Sequence, residues 1–320
     1  MKILLAVVLT LAALYSGYWL VTVRALDAGL DRAITLAEDR GWQVEIGSRE
    51  THGFPSRFDV TVQDVTVTSP TGRLVWQAPV VQTAALSYAP NRVIATLPPA
   101  QTLVLDGRPA TVGSDGLRAS LHLAASSDLG VQAVTAETRS LDMVFDSGRR
   151  LRGGAALAAL RLAEGTTSDY ELHLDAADLS LEVADLDLPR PGALSFDGTV
   201  TTDRPLGRQT LSRPARLERL VIDRLTLDAG PVGLSVAGML DVDAAGFPVG
   251  TLTVETADWR EIVQILVGLG VVPDGMQDML RTALLFLGSG ATDTVRLPLV
   301  FENRRMALGP LPLGPAPRLR

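Results

Sequence analysis

The chain has no cysteine. That excludes disulfides, thiolate zinc sites, iron–sulfur clusters and thiol nucleophiles outright. It has one lysine, Lys2, so no Walker loop can form, because that motif needs a lysine after a glycine-rich turn. Histidine is confined to His52, His122 and His173, scattered along the sequence, with His122 and His173 flanked by leucines in alternating stretches. Such histidines read as members of a solvated strand face rather than as metal ligands. The net charge is −7 with a pI near 5.1, which argues against a nucleic-acid footprint. Aromatic residues make up only 5% although 47% of the chain is hydrophobic, so leucine, valine and alanine carry the apolar positions. The 320 residues suffice for one large or two small domains with a sizeable core.

Long uncharged runs occur once. Ile3–Val23 reads ILLAVVLTLAALYSGYWLVTV, 21 residues without a charge, bounded by Lys2 and Arg24. It is long enough to cross a bilayer as a helix, and Tyr15, Tyr18 and Trp19 fit an aromatic belt at one interface. The segment 1–23 is therefore expected to be a membrane anchor that leaves the bulk of the chain in the periplasm. The alternative is a cleaved signal, with Ile3–Leu14 as its apolar region and a soluble periplasmic product. Residues 24–41 show helical spacing at Leu26, Leu30, Ala33 and Ala37 and stop at Gly41, which predicts an amphipathic helix.

From Trp42 onward the period changes to two. Phe58, Val60 and Val62 alternate, the phase slips at Gln63-Asp64, and Val65 and Val67 resume; a β-bulge is expected there. Alternation returns at Leu117–Leu123, Leu141–Phe145, Tyr170–Leu174, Leu194/Phe196, Val232–Val242 and Val295–Phe301, with breaks at pairs such as Asp106-Gly107 and Ser147-Gly148. One polar and one apolar face per strand is the pattern of antiparallel sheet. The expected fold is mainly β, an extended or rolled antiparallel sheet over 42–313. It carries an N-terminal transmembrane helix, the amphipathic helix, and a C-terminal helical hairpin at 258–287, opened by the capping box Asp258-Trp259-Arg260-Glu261. A proline-rich tail, 314–320, finishes the chain.

No catalytic set emerges. Neither H-E-x-x-H nor G-x-S-x-G occurs, and Gly233–Gly238 has the wrong spacing for a nucleophile elbow. Gly268-Leu269-Gly270 begins like a dinucleotide fingerprint but lacks its third glycine. The carboxylates of Leu174–Leu188 alternate with leucine, which makes them the wet side of strands. No cofactor and no metal is expected.

The triplet Gly-Phe-Pro occurs twice, at Gly53-Phe54-Pro55 and Gly246-Phe247-Pro248, each followed by an alternating strand. Proline suits the first residue of a strand, and the phenylalanine can cap the apolar face. The pair predicts an internal repeat with halves near 42–150 and 190–313.

Several segments together resemble a bacterial family known as domain of unknown function 2125. They are Thr68–Pro79 (TSPTGRLVWQAP), Glu255–Pro273 (ETADWREIVQILVGLGVVP) and Leu297–Leu319 (LPLVFENRRMALGPLPLGPAPRL). Trp76 and Pro79 belong to its more specific parts. The family implies no catalytic residues. More distantly, a span followed by repeated amphipathic strands resembles AsmA-type envelope proteins, which implies an apolar trough and lipid handling. The expectation is a non-enzymatic, membrane-anchored periplasmic protein of envelope maintenance, with lipid or acyl chains as its ligand. A structural or assembly factor engaging envelope proteins is the alternative, and a cryptic hydrolase the third reading.

Overall fold

A computed structural model describes residues 1–183, 186–187, 191–229, 232–257, 295–309 and 311–319. The expected hairpin at 258–287, with Trp259, lies outside the described residues. A long helix α1 (Lys2–Glu38) opens the chain. It is followed by β1 (Gln43–Glu45), β2 (Ser48–His52), β3 (Arg57–Thr68), β4 (Leu74–Leu86), β5 (Ala89–Thr96), β6 (Ala100–Leu105), β7 (Arg108–Asp115) and β8 (Arg118–Leu123). Next come β9 (Val131–Thr138), β10 (Ser140–Phe145), β11 (Arg150–Gly153), β12 (Ala156–Leu162), β13 (Asp169–Val183), β14 (Leu186–Asp187) and β15 (Gly192–Thr202). A single turn α2 (Arg208–Ser212) precedes β16 (Leu217–Ala229), β17 (Val232–Val242), β18 (Pro248–Ala257), β19 (Val295–Glu302), β20 (Arg305–Leu308) and β21 (Leu311–Pro315).

Contacts divide the chain into two compact units: residues 1–136 with 207–214, and residues 137–206 with 215–320. The boundary at 136/137 differs from the expected halves at 42–150 and 190–313.

The apolar run and the expected amphipathic helix are one element. Helix α1 runs through Arg24 without a break, because nothing between Val23 and Ala25 interrupts its hydrogen bonding. It stops where Gly41, at φ +83°, donates to Glu38 O and Trp42 donates to Ala37 O, the reversal that glycine permits at a helix end.

The β-bulge expected at Gln63-Asp64 is absent. Gln63 faces Val80 and Val65 faces Ala78, so β3 keeps its register with β4 through this point. The phase slips because Asp64 adopts φ +52°, which turns the strand without adding a residue. Pro79, which has no N–H to donate, takes the place opposite in β4. On the other side Gly47 gives room, since a Cβ there would lie 3.0 Å from Asp64 Cβ. The tail begins in extended form: β21 pairs with β20 and carries Pro312 and Pro315, which prolines tolerate at a sheet edge.

In the second unit the antiparallel order β12-β13-β15-β16-β17-β18-β19 sorts the side chains cleanly. Leu160, Leu172, Gly198, Ile222, Gly238, Leu252 and Leu299 stand opposite one another in one row. Ala158, Leu174, Phe196, Leu225, Val236, Val254 and Leu297 form the next. Ile222 and Leu225 share this face although three residues apart, because the register shifts between them. Gly238, at φ +142°, lets the backbones close up; a Cβ there would sit 2.5 Å from Thr251 O. The opposite face is polar. Arg161–Glu171 (2.5 Å), His173–Asp197 (2.6 Å), Arg219–Asp241 (2.7 Å) and Arg296–Glu255 (2.6 Å) are ion pairs between directly opposed residues.

Candidate functional site

The residues singled out in sequence fall at three separate places. At the first, Gly53-Phe54-Pro55 builds a turn that receives helix α1. Gly53 sits at φ +100°, with room for no Cβ: it would lie 2.8 Å from Arg57 O. Arg57 donates its N–H back to Gly53 O at 2.9 Å, closing the turn. The Phe54–Pro55 peptide is cis, and the strand begins only at Arg57, so Pro55 does not open it.

Against this turn lies one stripe of α1, whose residues at i, i+3 and i+4 share a face. The Trp19 indole donates to Arg57 O at 3.0 Å. Its ring stacks on Phe58 at 5.9 Å and meets Phe54 edge-on at 5.4 Å. Tyr18 donates its hydroxyl to Ser87 O at 2.7 Å, and the Tyr15 hydroxyl lies 2.6 Å from Ser87 Oγ. Ser87, fully buried at the β4–β5 turn, donates its N–H to Ser56 O. Further along, Arg49 bridges Asp31 at 2.9 Å and Asp27 at 3.3 Å, tying the charged half of α1 to β2. Sequence reasoning assigned Tyr15, Tyr18 and Trp19 to an aromatic belt. It missed Phe58 and Ser87 as their partners, since nothing local marks a serine as the recipient of two tyrosines.

The second place is the Trp76–Pro79 segment. The Trp76 indole donates to Gln101 Oε1 at 2.8 Å, and the buried Gln101 donates its amide to Pro98 O. A cavity of 340 Å³ opens beside it, lined by Asp64, Val65, Gln77, Pro79 and Thr111 among others. Pro79 and the Trp76 partner Gln101 thus share this cavity with Asp64, the left-handed residue of β3.

The third place is the Gly246-Phe247-Pro248 turn in the second unit. The Asp243 carboxylate accepts from the N–H groups of Phe247 (2.9 Å) and Ala245 (2.8 Å). The Phe247 amide, above all, holds its carboxyl below the usual carboxylate range. Pro248 is buried and opens β18, while Phe247 packs on the cluster of Ile222, Val236, Leu240, Leu252, Phe301 and Ala316. The Arg304 guanidinium covers the Phe247 ring at 5.2 Å. The tail closes over this turn: Leu319 donates to Gly246 O and Arg318 to Ala245 O.

Among polar clusters, His173 has the most definite chemistry. Its Nδ1 is 2.6 Å from Asp197 and its Nε2 is 2.5 Å from Asp175. A carboxylate at each ring nitrogen favours the imidazolium form, and the His173 pKa is raised, chiefly by the Asp197 hydrogen bond. Among the described residues no group of three or more His, Asp or Glu side chains is arranged to hold a metal ion.

A family model described as an uncharacterized protein conserved in bacteria (DUF2125) matches residues 19–317. The chain belongs to that family. Within the DUF2125 match lie both Gly-Phe-Pro turns, the Trp76–Pro79 segment, and Trp19 itself. No curated protein and no solved structure matches the chain.

Proposed function

We propose that this DUF2125 member is a non-enzymatic β-protein anchored in the inner membrane by residues 3–23. Its strands lie in the periplasm and hold a lipid acyl chain in the service of envelope maintenance. The observation that carries the reading is the apolar face of the second unit. Its rows cross seven strands, about 29 Å at the usual strand spacing. Along this face Leu172 and Leu174 are only half-buried, while Phe196, Leu225 and Leu234 are half-buried against the buried cluster of Ile222 and Val236. A packed core leaves little such surface, whereas an acyl chain needs an apolar trough of this kind. The likeness to AsmA-type envelope proteins is one of architecture alone.

Support for an uncleaved anchor comes from the helix itself. Removing residues 1–24 would strip Trp19 from Phe58 and leave Ser87 and Arg57 O without their partners. The helix is long and apolar enough to cross a membrane, with a mean hydropathy of 2.0 in its most apolar window.

Phospholipid should accompany the full chain when it is extracted in mild detergent and analysed by mass spectrometry. Lipid-free protein that takes up no fluorescent fatty acid would remove the lipid-binding reading. Intact mass of the same sample reports whether residues 1–23 are retained. Alkaline phosphatase fused after Pro248 should be active; an expressed but inactive fusion would reverse the periplasmic placement.

A further inference from the structure

We infer that the rim of the first unit around helix α1, formed by Phe54, Leu86 and Tyr88, is a membrane-inserting surface. It sits inside the headgroup–acyl boundary of the leaflet from which the helix emerges. The inference rests on the reading of residues 3–23 as an uncleaved span and adds where the folded unit lies on that span.

Length decides the point. The run Ile3–Val23 is about 32 Å long as a helix, enough for a hydrocarbon core of about 30 Å. The folded unit does not wait for that run to end. It grips α1 at Tyr15, Tyr18 and Trp19, about 18–24 Å along the axis from Ile3. With Ile3 at one edge of the hydrocarbon, the grip lies about 6–12 Å short of the other edge. Tilting the helix shortens its reach and deepens the grip further. The turns that hold these residues must therefore enter the boundary with them.

Their chemistry suits that depth. The tips beside the grip carry Phe54 (56% exposed), Leu86 (40%) and Tyr88 (77%), large side chains that keep much of their surface open although Phe54 meets Trp19 along one edge. Aromatic side chains at the membrane interface are favoured because their rings are apolar and their polar atoms stay wet. Four backbone carbonyls around the tips are satisfied within the protein, which lowers the cost of a low-water environment. Arg57 O accepts from Trp19, Ser87 O from Tyr18, Ser56 O from Ser87 and Gly53 O from Arg57. The nearest charge, Arg57, is 3.2 Å from Asp59 and largely exposed, and its long side chain can reach lipid phosphates.

The absence of cysteine makes the test direct. The full chain would carry Val7→Cys, Phe54→Cys, Tyr88→Cys or Thr71→Cys, one at a time, each labelled with an environment-sensitive fluorophore. Each is reconstituted in phosphatidylethanolamine–phosphatidylglycerol vesicles containing nitroxide lipids. Thr71 lies in the β3–β4 turn, at the other end of the hairpin, roughly 40 Å from Ser56 along a 12-residue strand. The expected result is strong quenching of labels 54 and 88 by a nitroxide near the headgroup, quenching of label 7 by one deep in the chain, and none at 71. If label 7 is quenched while 54 and 88 behave like 71, the helix spans but the rim does not insert, and the inference falls alone. An unquenched label 7 removes the anchor and this inference with it.

Discussion

Trp19 is where the apolar helix becomes part of a folded unit. Its indole stacks on Phe58, meets Phe54 edge-on and donates to a backbone carbonyl. Replacing Trp19 with alanine should destabilise the first unit by about 3–5 kcal/mol, the usual result of removing a large aromatic from a packed site. Trp19→Phe keeps the stacking and loses only the hydrogen bond, worth about 1 kcal/mol. Denaturant midpoints of the detergent-solubilised chain would read both, and equal losses would show that the ring contacts contribute little. Gly53 makes a sharper case. Gly53→Ala must place a Cβ at φ +100° and within 2.8 Å of Arg57 O, so a loss of about 1–3 kcal/mol is expected from strain alone. No longer side chain at 53 should recover it.

At the scale of elements, the second unit's sheet separates two kinds of pairing. Its apolar rows carry the cohesion, while the opposed ion pairs lie in solvent. Leu240→Ala should cost about 2–5 kcal/mol, whereas Arg219→Ala should cost at most about 1 kcal/mol, because exposed pairs are screened. Urea melts of the two variants give the comparison. His173 adds a pH dependence of known sign. Its folded-state pKa is raised above its ordinary value, first by Asp197. Its stabilising contribution is therefore complete below the unfolded histidine pKa and is lost as pH rises through the higher folded value. Stability should fall between mildly acid and mildly basic pH in the parent and fall less in His173→Gln; identical profiles would dismiss the link. These pairings also explain what was legible in the sequence. Strands β13, β15, β17 and β19 reveal themselves by alternation, and β18 by the alternation that follows its Gly-Phe-Pro turn. Strand β16 does not, because the register shift between Ile222 and Leu225 breaks the period of two in the string itself. The phase slip at Asp64 was visible, but its cause was a backbone angle rather than an added residue, and a sequence records both in the same way. The seat of α1 was legible only on the helix side, since Tyr15, Tyr18 and Trp19 announce a face while Ser87 announces nothing.

Across the whole molecule, the two Gly-Phe-Pro turns do one kind of task with different means. The first receives the N-terminal helix through Phe54, and the second receives the tail through Gly246 and Phe247. Each contact lies within a single compact unit, so the two should respond independently. Ending the chain after Pro315 removes Ala316 from the second unit's core and deprives Gly246 O, Ala245 O and Arg304 O of their donors. That should cost on the order of 1–3 kcal/mol. Hydrogen exchange should then speed up around residues 243–254 and stay unchanged around 53–62. Trp19→Ala should reverse the pattern, loosening 53–62 and sparing 243–254. If either change loosened both regions together, the units would open as one cooperative body, and the helix seat and the tail would be two ends of one constraint.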